Sequence, residues 1–277
     1  MIRLIASDLD DTLLNEHGDV NPRVIEALRA AMAQGCGVVL ASGRMLEAMT
    51  PLADRIGLHD PMLLYNGAVA YDPAKDETLF ADKLPYDIAL SIVEKCESQG
   101  VYVQAYPGRN YYCPQVTDAT RRYAASIRVD PVPVNRPISQ WMRENPCDMQ
   151  KLLMILPTPE EADDMKARLV AAFPSGANFL KSRPHYVEVV PEGIDKGLSL
   201  IRLAKLLGVE PGEVMAFGDG QNDVSMISRA GTGVCMENGC PEARAAANII
   251  APRNTEDGVA AVIEDFLKRG EIGPYRR

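Results

Sequence analysis

The chain has 277 residues, of which 47% are hydrophobic and 24% charged, which is a globular composition long enough for one large domain or two smaller ones. Its formal net charge of −9 argues against a general nucleic-acid or anionic-membrane surface, while a small anionic substrate bound together with a cation remains possible. Six scattered cysteines without a C-x-x-C pair, and too few apolar residues at the start for a signal peptide, predict reduced thiols and a soluble cytoplasmic protein.

The first part of the chain alternates short apolar runs with helical patterns. Residues 2–6 form an apolar run that is cut off by three aspartates, which is typical of a buried strand. Asn21 and Pro22 then predict the N-cap and first position of a helix that ends near Gly35. Strand-like runs follow at 38–42 and 62–65. Strands that alternate with helices predict a parallel sheet with right-handed crossovers.

The middle of the chain breaks this alternation. After a helical pattern at 86–99, the runs at 101–106 and 110–113 are typical of a hairpin. Helices near 117–127, 138–144 and 159–173 are mixed with strands near 151–156, 177–181 and 186–190. We therefore expect a separate α+β domain inserted at 85–190.

The alternation returns after the insert, with a helix from Lys196 to Gly208 and a strand at 214–217 that ends in Gly218 and Asp219. The predicted fold class is therefore α/β: a discontinuous parallel-sheet core formed by 1–84 and 191–277, interrupted by the α+β domain. The tail at 271–277 is expected to be loosely held.

Polar side chains follow the ends of the predicted core strands, where open parallel sheets bind their ligands. They are Asp8, Asp10, Ser42, Asn66, Asp219 and Asp223. Carboxylates gathered beside a phosphate repel one another unless a cation offsets them, since two like charges about 4 Å apart repel by roughly 4 kcal/mol at an effective dielectric constant near 20. The three histidines show no zinc-type spacing with cysteine, so the oxygen donors favour Mg²⁺.

Each of these residues taken alone also fits an ordinary turn or helix cap. Their combination resembles the haloacid dehalogenase-like superfamily, and specifically its Cof-type sugar-phosphatase branch. The motifs that carry the resemblance are Asp8-Leu9-Asp10-Asp11-Thr12, Ser42-Gly43-Arg44, Asn66-Gly67, Asp195-Lys196-Gly197 and Gly218-Asp219-Gly220-Gln221-Asn222-Asp223. The resemblance implies a Rossmann-like core with an inserted α/β cap of the second type, and a phosphoric monoester hydrolase.

The resemblance also implies roles for the motif residues. Asp8 is expected to be the nucleophile that forms an aspartyl-phosphate, and Asp10 the acid and base, with Thr12 holding their turn and Asp11 only a turn residue. Two groups of ligand-binding residues complete the expected site. The residues expected to bind the phosphoryl group are Asp8, Ser42, Gly43, Lys196 and Asn222. The residues expected to bind Mg²⁺ are Asp8, Asp10, Asp219 and Asp223.

The leaving group of the substrate is expected to meet polar side chains of the insert and of the strand ends. The candidates are Arg44, Asn66, Arg109, Lys181, Arg183 and His185. A solvated basic edge that balances an acidic protein is an equally simple interpretation of the basic ones. The expected substrate is a small phosphorylated metabolite such as a sugar phosphate, without nucleic-acid or membrane partners, and the expected assembly is a monomer or homodimer.

Two other functions compete with the phosphatase hypothesis. A phosphosugar mutase could use the same aspartate pair to move phosphate within a sugar, and would differ in releasing no net phosphate. A non-catalytic phosphate-binding regulatory module could keep the fold, but the intact Asp8, Asp10, Lys196, Asp219 and Asp223 argue against it. Dinucleotide binding is excluded because Gly218-Asp219-Gly220 is not followed by a third glycine at the required spacing.

Overall fold

Residues 1–275 are described in the computed structural model, and they divide into two units. The core unit contains Met1–Gly43, Met49–Phe80 and the described part of Asp195–Arg277. The inserted unit contains Ala81–Ile194 together with Arg44–Ala48. The boundaries at 80/81 and 194/195 each lie four residues from the predicted 84/85 and 190/191, and the grouping of residues 44–48 with the insert was not predicted.

The first part of the core unit carries the alternation of strands and helices expected from the apolar runs. Its elements are β1 (Leu4–Ser7), α1 (Pro22–Ala33), β2 (Gly37–Leu40), α2 (Leu46–Ile56), β3 (Met62–Leu64), β4 (Val69–Asp72) and β5 (Glu77–Ala81). Asn21 and Pro22 stand at the N-cap and first position of α1, as predicted. The Asn21 side chain does not cap the helix, because its Oδ1 instead accepts from Asn15 Nδ2 at 2.6 Å, while its Nδ2 donates to Asp257 Oδ1 at 2.7 Å.

The inserted unit is an α+β unit whose strands form one six-stranded sheet, with the order β10-β11-β9-β6-β7-β8. Its elements are α3 (Tyr86–Glu97), β6 (Val103–Tyr106), β7 (Tyr112–Cys113), α4 (Asp118–Ile127), β8 (Val132–Pro133), α5 (Ile138–Glu144), β9 (Lys151–Ile155), α6 (Pro159–Ala172), β10 (Ala177–Leu180) and β11 (Tyr186–Pro191). Alternate strand residues, among them Val103, Leu152 and Val187, share one buried apolar cluster with residues of α3, α5 and α6.

The chain then returns to the core unit and completes its sheet. The elements of this part are α7 (Lys196–Leu206), β12 (Val214–Gly218), α8 (Val224–Arg229), β13 (Thr232–Met236), α9 (Pro241–Ala246), β14 (Ile249–Ala251) and α10 (Gly258–Lys268). Among residues 1–275, no helix combines the length and hydrophobicity that crossing a membrane requires.

The core unit is organised around a five-stranded parallel sheet with the order β14-β13-β12-β1-β2. All residues of β1, β2 and β12 are buried, as expected when both faces of a parallel sheet are covered. β3, β4 and β5 form a separate antiparallel sheet, and Ala41 makes a parallel bridge to Leu63 in β3. The predicted α/β class is confirmed. β1 lies between β2 and β12, so the residues that follow these strands meet at one edge of the sheet.

The end of the chain corrects one expectation. Ile272 is buried and makes a parallel bridge to Ile2, and Gly273 N donates to the Ile2 carbonyl at 2.9 Å. The Tyr275 hydroxyl donates to Asp60. The expectation of a loosely held tail is therefore wrong for 271–275, because an apolar side chain and a hydroxyl anchor it. Residues 276 and 277 lie outside the described residues.

Candidate active site

Asp8 is the first residue after β1, and it lies beside the end of β12. Its backbone N–H donates to the Phe217 carbonyl at 3.0 Å, which extends the pairing of the two strands by one residue. Gly218 and Asp219 follow Phe217 directly. The parallel register therefore brings two acidic residues separated by more than 200 positions to the same edge of the sheet, as predicted from the strand ends.

The chain turns sharply after Asp8, and this turn separates Asp8 from Asp10. Asp10 has φ −69° and ψ 127°, and Asp11 has φ 59° and ψ 7°, which are the angles of a type II turn. The Leu14 N–H closes the loop by donating to the Leu9 carbonyl at 2.8 Å. The turn supplies the change of direction that two residues on one strand could not provide. Asp11 is exposed and acts as a turn residue, as expected.

Three carboxylates and one ammonium group meet at the sheet edge. One ligand oxygen from each of Asp8, Asp219 and Asp223 lies within 4.8 Å of the others. The Lys196 Nζ, which is fully buried, donates to Asp8 Oδ1 at 2.5 Å and to Asp223 Oδ1 at 2.6 Å. Lys196 is the first residue of α7, so the helix start places the charge between the two carboxylates.

Two glycines allow this arrangement to form. A Cβ on Gly197 would lie 2.2 Å from the Ser225 carbonyl oxygen, so glycine lets the start of α7 approach α8. A Cβ on Gly218 would lie 2.5 Å from the Cβ of Asp223. Larger residues at these positions would push Lys196 or Asp223 away from Asp8, because a Cβ contact below 3.0 Å forces a shift.

Hydrogen bonds fix the second acidic motif. Asp223 Oδ2 accepts from the backbone N–H groups of Asp219 at 3.1 Å and Gly220 at 2.9 Å, while its Oδ1 accepts from Lys196. The Thr12 hydroxyl donates to Asp219 Oδ1 at 2.8 Å. Thr12 is expected to hold its own turn, and its hydroxyl joins that turn to Asp219.

The crowding of carboxylates shifts their titration. Burial, followed by repulsion from Asp223, raises the pKa of Asp8 to about 7, although Lys196 partly opposes the shift. Burial, with Asp223 and Asp8, raises the pKa of Asp219 to about 9. Burial on its own lowers the pKa of Lys196, but Asp223 and Asp8 outweigh burial and raise that pKa. When all three carboxylates are ionised, the single ammonium group of Lys196 is too little positive charge to balance them.

The donor set fits a divalent cation. Three ionised carboxylates and one ammonium group leave two negative charges, which a divalent cation would neutralise. The grouped ligand atoms are all oxygens, which is the donor type that Mg²⁺ prefers. Asp8, Asp219 and Asp223 could hold such an ion, and a ligand from Asp10 stays a prediction.

Comparisons with known proteins agree with this geometry. A family model described as haloacid dehalogenase-like hydrolase matches residues 5–263. The chain belongs to the haloacid dehalogenase-like hydrolases. The resemblance to this superfamily and its Cof-type branch is thereby confirmed. The chain is a phosphoric monoester hydrolase of this family.

Two relatives and one solved structure illustrate the similarity. "Putative phosphatase YxeH" of Bacillus subtilis (strain 168) is 32% identical over 275 residues, which cover 96% of this chain and 99% of the relative. Pyridoxal phosphate phosphatase YbhA of Escherichia coli (strain K12) is 28% identical over 277 residues, covering 96% and 98%. A haloacid dehalogenase-like hydrolase from Bacteroides thetaiotaomicron has a TM-score of 0.84 at 30% identity, covering 96% of this chain and 100% of that one.

Other residues expected in this hydrolase's site lie at neighbouring strand ends of the core unit. Ser42 follows β2 and is buried, its N–H donates to the Leu63 carbonyl, and its own carbonyl accepts from the Asn66 N–H, both at 2.9 Å. Asn222 Nδ2 donates to Asn66 Oδ1 at 3.1 Å. Gly43 directly follows Ser42. Three strand ends are thus linked by direct hydrogen bonds.

The remaining predicted contacts of the leaving group lie in the inserted unit. Arg44 is buried, and Arg109 is exposed with its Nε 3.7 Å from Glu47 Oε1. Lys181 is largely buried, and its Nζ donates to Asp163 Oδ1 at 2.5 Å. Arg183 and His185 are half-buried in the turn before β11. Their contact with substrate stays a prediction.

Sequence reasoning assigned no role to two asparagines that contact the Asp10 turn. Asn238 Nδ2 donates to the Asp11 carbonyl at 2.7 Å, and Asn254 Nδ2 donates to the Leu14 carbonyl at 2.8 Å. Asn254 opens the segment Asn254-Thr255-Glu256-Asp257-Gly258-Val259, whose sequence also resembles the C-terminal signature of the Cof-type branch and is the available signal. A contact between loops more than 220 positions apart does not follow from that segment alone.

Proposed function

We propose that this hydrolase is a Mg²⁺-dependent phosphatase that cleaves small phosphate monoesters through an aspartyl-phosphate on Asp8. The observation that carries the proposal is the largely buried group in which three carboxylates, those of Asp8, Asp219 and Asp223, share the single ammonium group of Lys196. A cation bound by the three carboxylates would keep Asp8 ionised at neutral pH and draw an anionic phosphate towards it.

The protein groups divide the reaction into two displacements. In the first, an Asp8 carboxylate oxygen bonds to phosphorus while the bond from phosphorus to the leaving oxygen breaks, and Asp10 gives that oxygen a proton. In the second, Asp10 takes a proton from water as the water oxygen bonds to phosphorus. The bond between phosphorus and Asp8 then breaks and releases inorganic phosphate. Ser42, Gly43, Asn222 and Lys196 would hold the phosphoryl oxygens throughout.

The substrate class we propose is a phosphorylated metabolite of small size, such as a sugar phosphate or a related ester. The relative YbhA is named for pyridoxal phosphate, which supports a phosphate on a small polar carrier. Arg44, Asn66, Arg109, Lys181, Arg183 and His185 are the proposed contacts of that carrier.

A phosphate-release screen tests the proposal. The purified chain is assayed with hexose phosphates, nucleotides, pyridoxal phosphate and an aryl phosphate, with Mg²⁺ and with chelator. We expect net phosphate release that chelation abolishes, and a loss of at least about 10³-fold in Asp8→Asn. Activity that survives chelation would reject the metal assignment, and turnover by Asp8→Asn would reject the nucleophile. Isomerisation without phosphate release would indicate a mutase instead.

A further inference from the structure

The turn that carries Asp10 is a conformation that its own residues do not favour. Asp11 occupies the second central position of the type II turn with φ 59°, a position that favours glycine. A type I turn needs no positive φ, and it differs mainly by rotation of the peptide between Asp10 and Asp11. A non-glycine residue held at positive φ persists where the surroundings impose it. Contacts outside the turn must therefore help to select its conformation.

Two asparagine side chains supply such contacts from the C-terminal part of the core unit. Asn238 Nδ2 binds the Asp11 carbonyl and Asn254 Nδ2 binds the Leu14 carbonyl, at 2.7 Å and 2.8 Å. The two asparagines are also joined, since the Asn254 N–H donates to Asn238 Oδ1 at 3.0 Å. We call this pair the asparagine clamp. It holds both ends of the segment from Asp11 to Leu14, through the carbonyls of these two residues.

We infer that the asparagine clamp positions Asp10 for proton transfer. The Asp11 carbonyl belongs to the peptide that follows the strained residue, so its hydrogen bond restrains Asp11 and, through it, the orientation of Asp10. Thr12 restrains the next residue through Asp219. Asn238 and Asn254 are positioning residues, because they touch the turn and not the reacting atoms. The inference rests on the proposed role of Asp10 as acid and base.

The chemistry of the leaving group separates this role from a merely structural one. An alkyl alkoxide leaves from phosphorus only if it receives a proton, whereas a dinitrophenolate leaves without one. General acid catalysis contributes roughly 10² to 10⁴-fold where a proton is needed. A misplaced Asp10 therefore slows cleavage of an alkyl phosphate and spares that of dinitrophenyl phosphate, while a damaged phosphate site slows both.

The test compares single-turnover cleavage of dinitrophenyl phosphate and of an alkyl phosphate that the wild type hydrolyses. Asn238→Asp and Asn254→Asp keep the size of the side chain but remove the donor, and Asn238→Ala and Asn254→Ala remove it without adding charge. The matched control is Asn15→Asp, at the residue after the turn, because the Asn15 side chain bonds Asn21, His17 and Asp19 but neither clamped carbonyl. Thermal unfolding and Mg²⁺ dependence are recorded for every variant.

We expect each clamp variant to cleave the alkyl phosphate at least about tenfold more slowly and dinitrophenyl phosphate less than about threefold more slowly. The control should keep the wild-type ratio of the two rates. Equal slowing of both substrates, or no slowing, in folded variants would overturn the inference. Failure of the proposed function is a different result, in which wild type cleaves neither ester or Asp8→Asn stays active.

Discussion

Each unit of the chain buries a lysine almost completely, and the two lysines have different surroundings. Lys196 in the core unit lies between Asp8 and Asp223, close to a third carboxylate on Asp219. Lys151 in the inserted unit projects from the middle of the six-stranded sheet. Its Nζ lies 3.3 Å from Glu188 Oε2 and 4.7 Å from the centre of the Tyr106 ring.

The comparison shows that charge balance distinguishes the two environments better than burial does. The pair of Lys151 and Glu188 is neutral, and Ser182 donates to the other Glu188 oxygen. The group around Lys196 would carry two excess negative charges if its three carboxylates were ionised, and this crowding, together with burial, raises the pKa values of Asp8 and Asp219. A buried group whose carboxylates outnumber its cationic side chains indicates a cation-binding site, whereas a neutral buried pair indicates a structural contact.

The same substitution at both lysines tests this comparison with the largest expected effect. Lys196→Met should reduce phosphate release by at least about 10³-fold, since it removes a group that would contact the phosphoryl oxygens. Lys151→Met should reduce kcat less than about tenfold. Each variant removes the lysine ammonium group that is paired with a buried carboxylate. Both variants should therefore lose about 3–5 kcal/mol of unfolding free energy, measured by urea denaturation with Mg²⁺ present. Equal loss of activity in both variants would contradict the distinction.

The gain in thermal stability from Mg²⁺ should depend on pH, in a direction set by the carboxylates of Asp8 and Asp219. In the metal-free protein, Asp8 and Asp219 have pKa values of about 7 and about 9, against 3.8 for the ordinary group. Between the ordinary pKa and the raised values, the folded protein therefore keeps protons that the unfolded chain has released. Its stability falls as the pH rises through this range. Mg²⁺ bound by these carboxylates would take the place of those protons, so the Tm gain from Mg²⁺ should increase from about pH 5 to about pH 9.

Thermal unfolding with and without saturating Mg²⁺ at three pH values in this window measures the effect. Asp219→Asn removes both a proposed ligand and one of the raised pKa values, so its Tm gain from Mg²⁺ should be smaller and should vary less with pH. A Tm gain that is the same at all three pH values would exclude these carboxylates as the linked groups.

The core site could be predicted from the sequence because topology determines it. Asp8, Ser42, Asn66 and Asp219 each follow an apolar run, and parallel strands bring such ends to one edge. No comparable rule locates the contacts of Lys151, Asn238 and Asn254, which depend on strand register and loop geometry. The tail was misjudged because Ile272 and Tyr275 lie in a short polar segment without periodicity, where anchoring by single side chains leaves no pattern.

Lys181 tests whether basic residues of the inserted unit also bind substrate. Lys181→Met should raise KM about three- to tenfold with little change in kcat, as expected when a contact is made equally in the ground and transition states. Asp163→Asn is the matched variant, because it removes the partner of the same ion pair but leaves the ammonium group. It should leave KM unchanged or lower it. An equal rise of KM in both variants would show that the ion pair only supports the local structure.

A buried carboxylate away from the strand ends should contribute to stability but not to catalysis. Asp60 accepts hydrogen bonds from the Val38 N–H at 2.8 Å and from the Tyr275 hydroxyl. Tyr275→Phe should cost about 1–2 kcal/mol of unfolding free energy without changing kcat, because a buried charge loses one of its donors. Tyr71→Phe is the control, since its hydroxyl bonds Asp76 in an exposed pair, and it should leave the urea midpoint unchanged. If the two variants unfold at the same urea concentration, the Tyr275 hydroxyl does not anchor the C-terminal segment, and the burial of Ile272 and the backbone pairing with Ile2 must hold it.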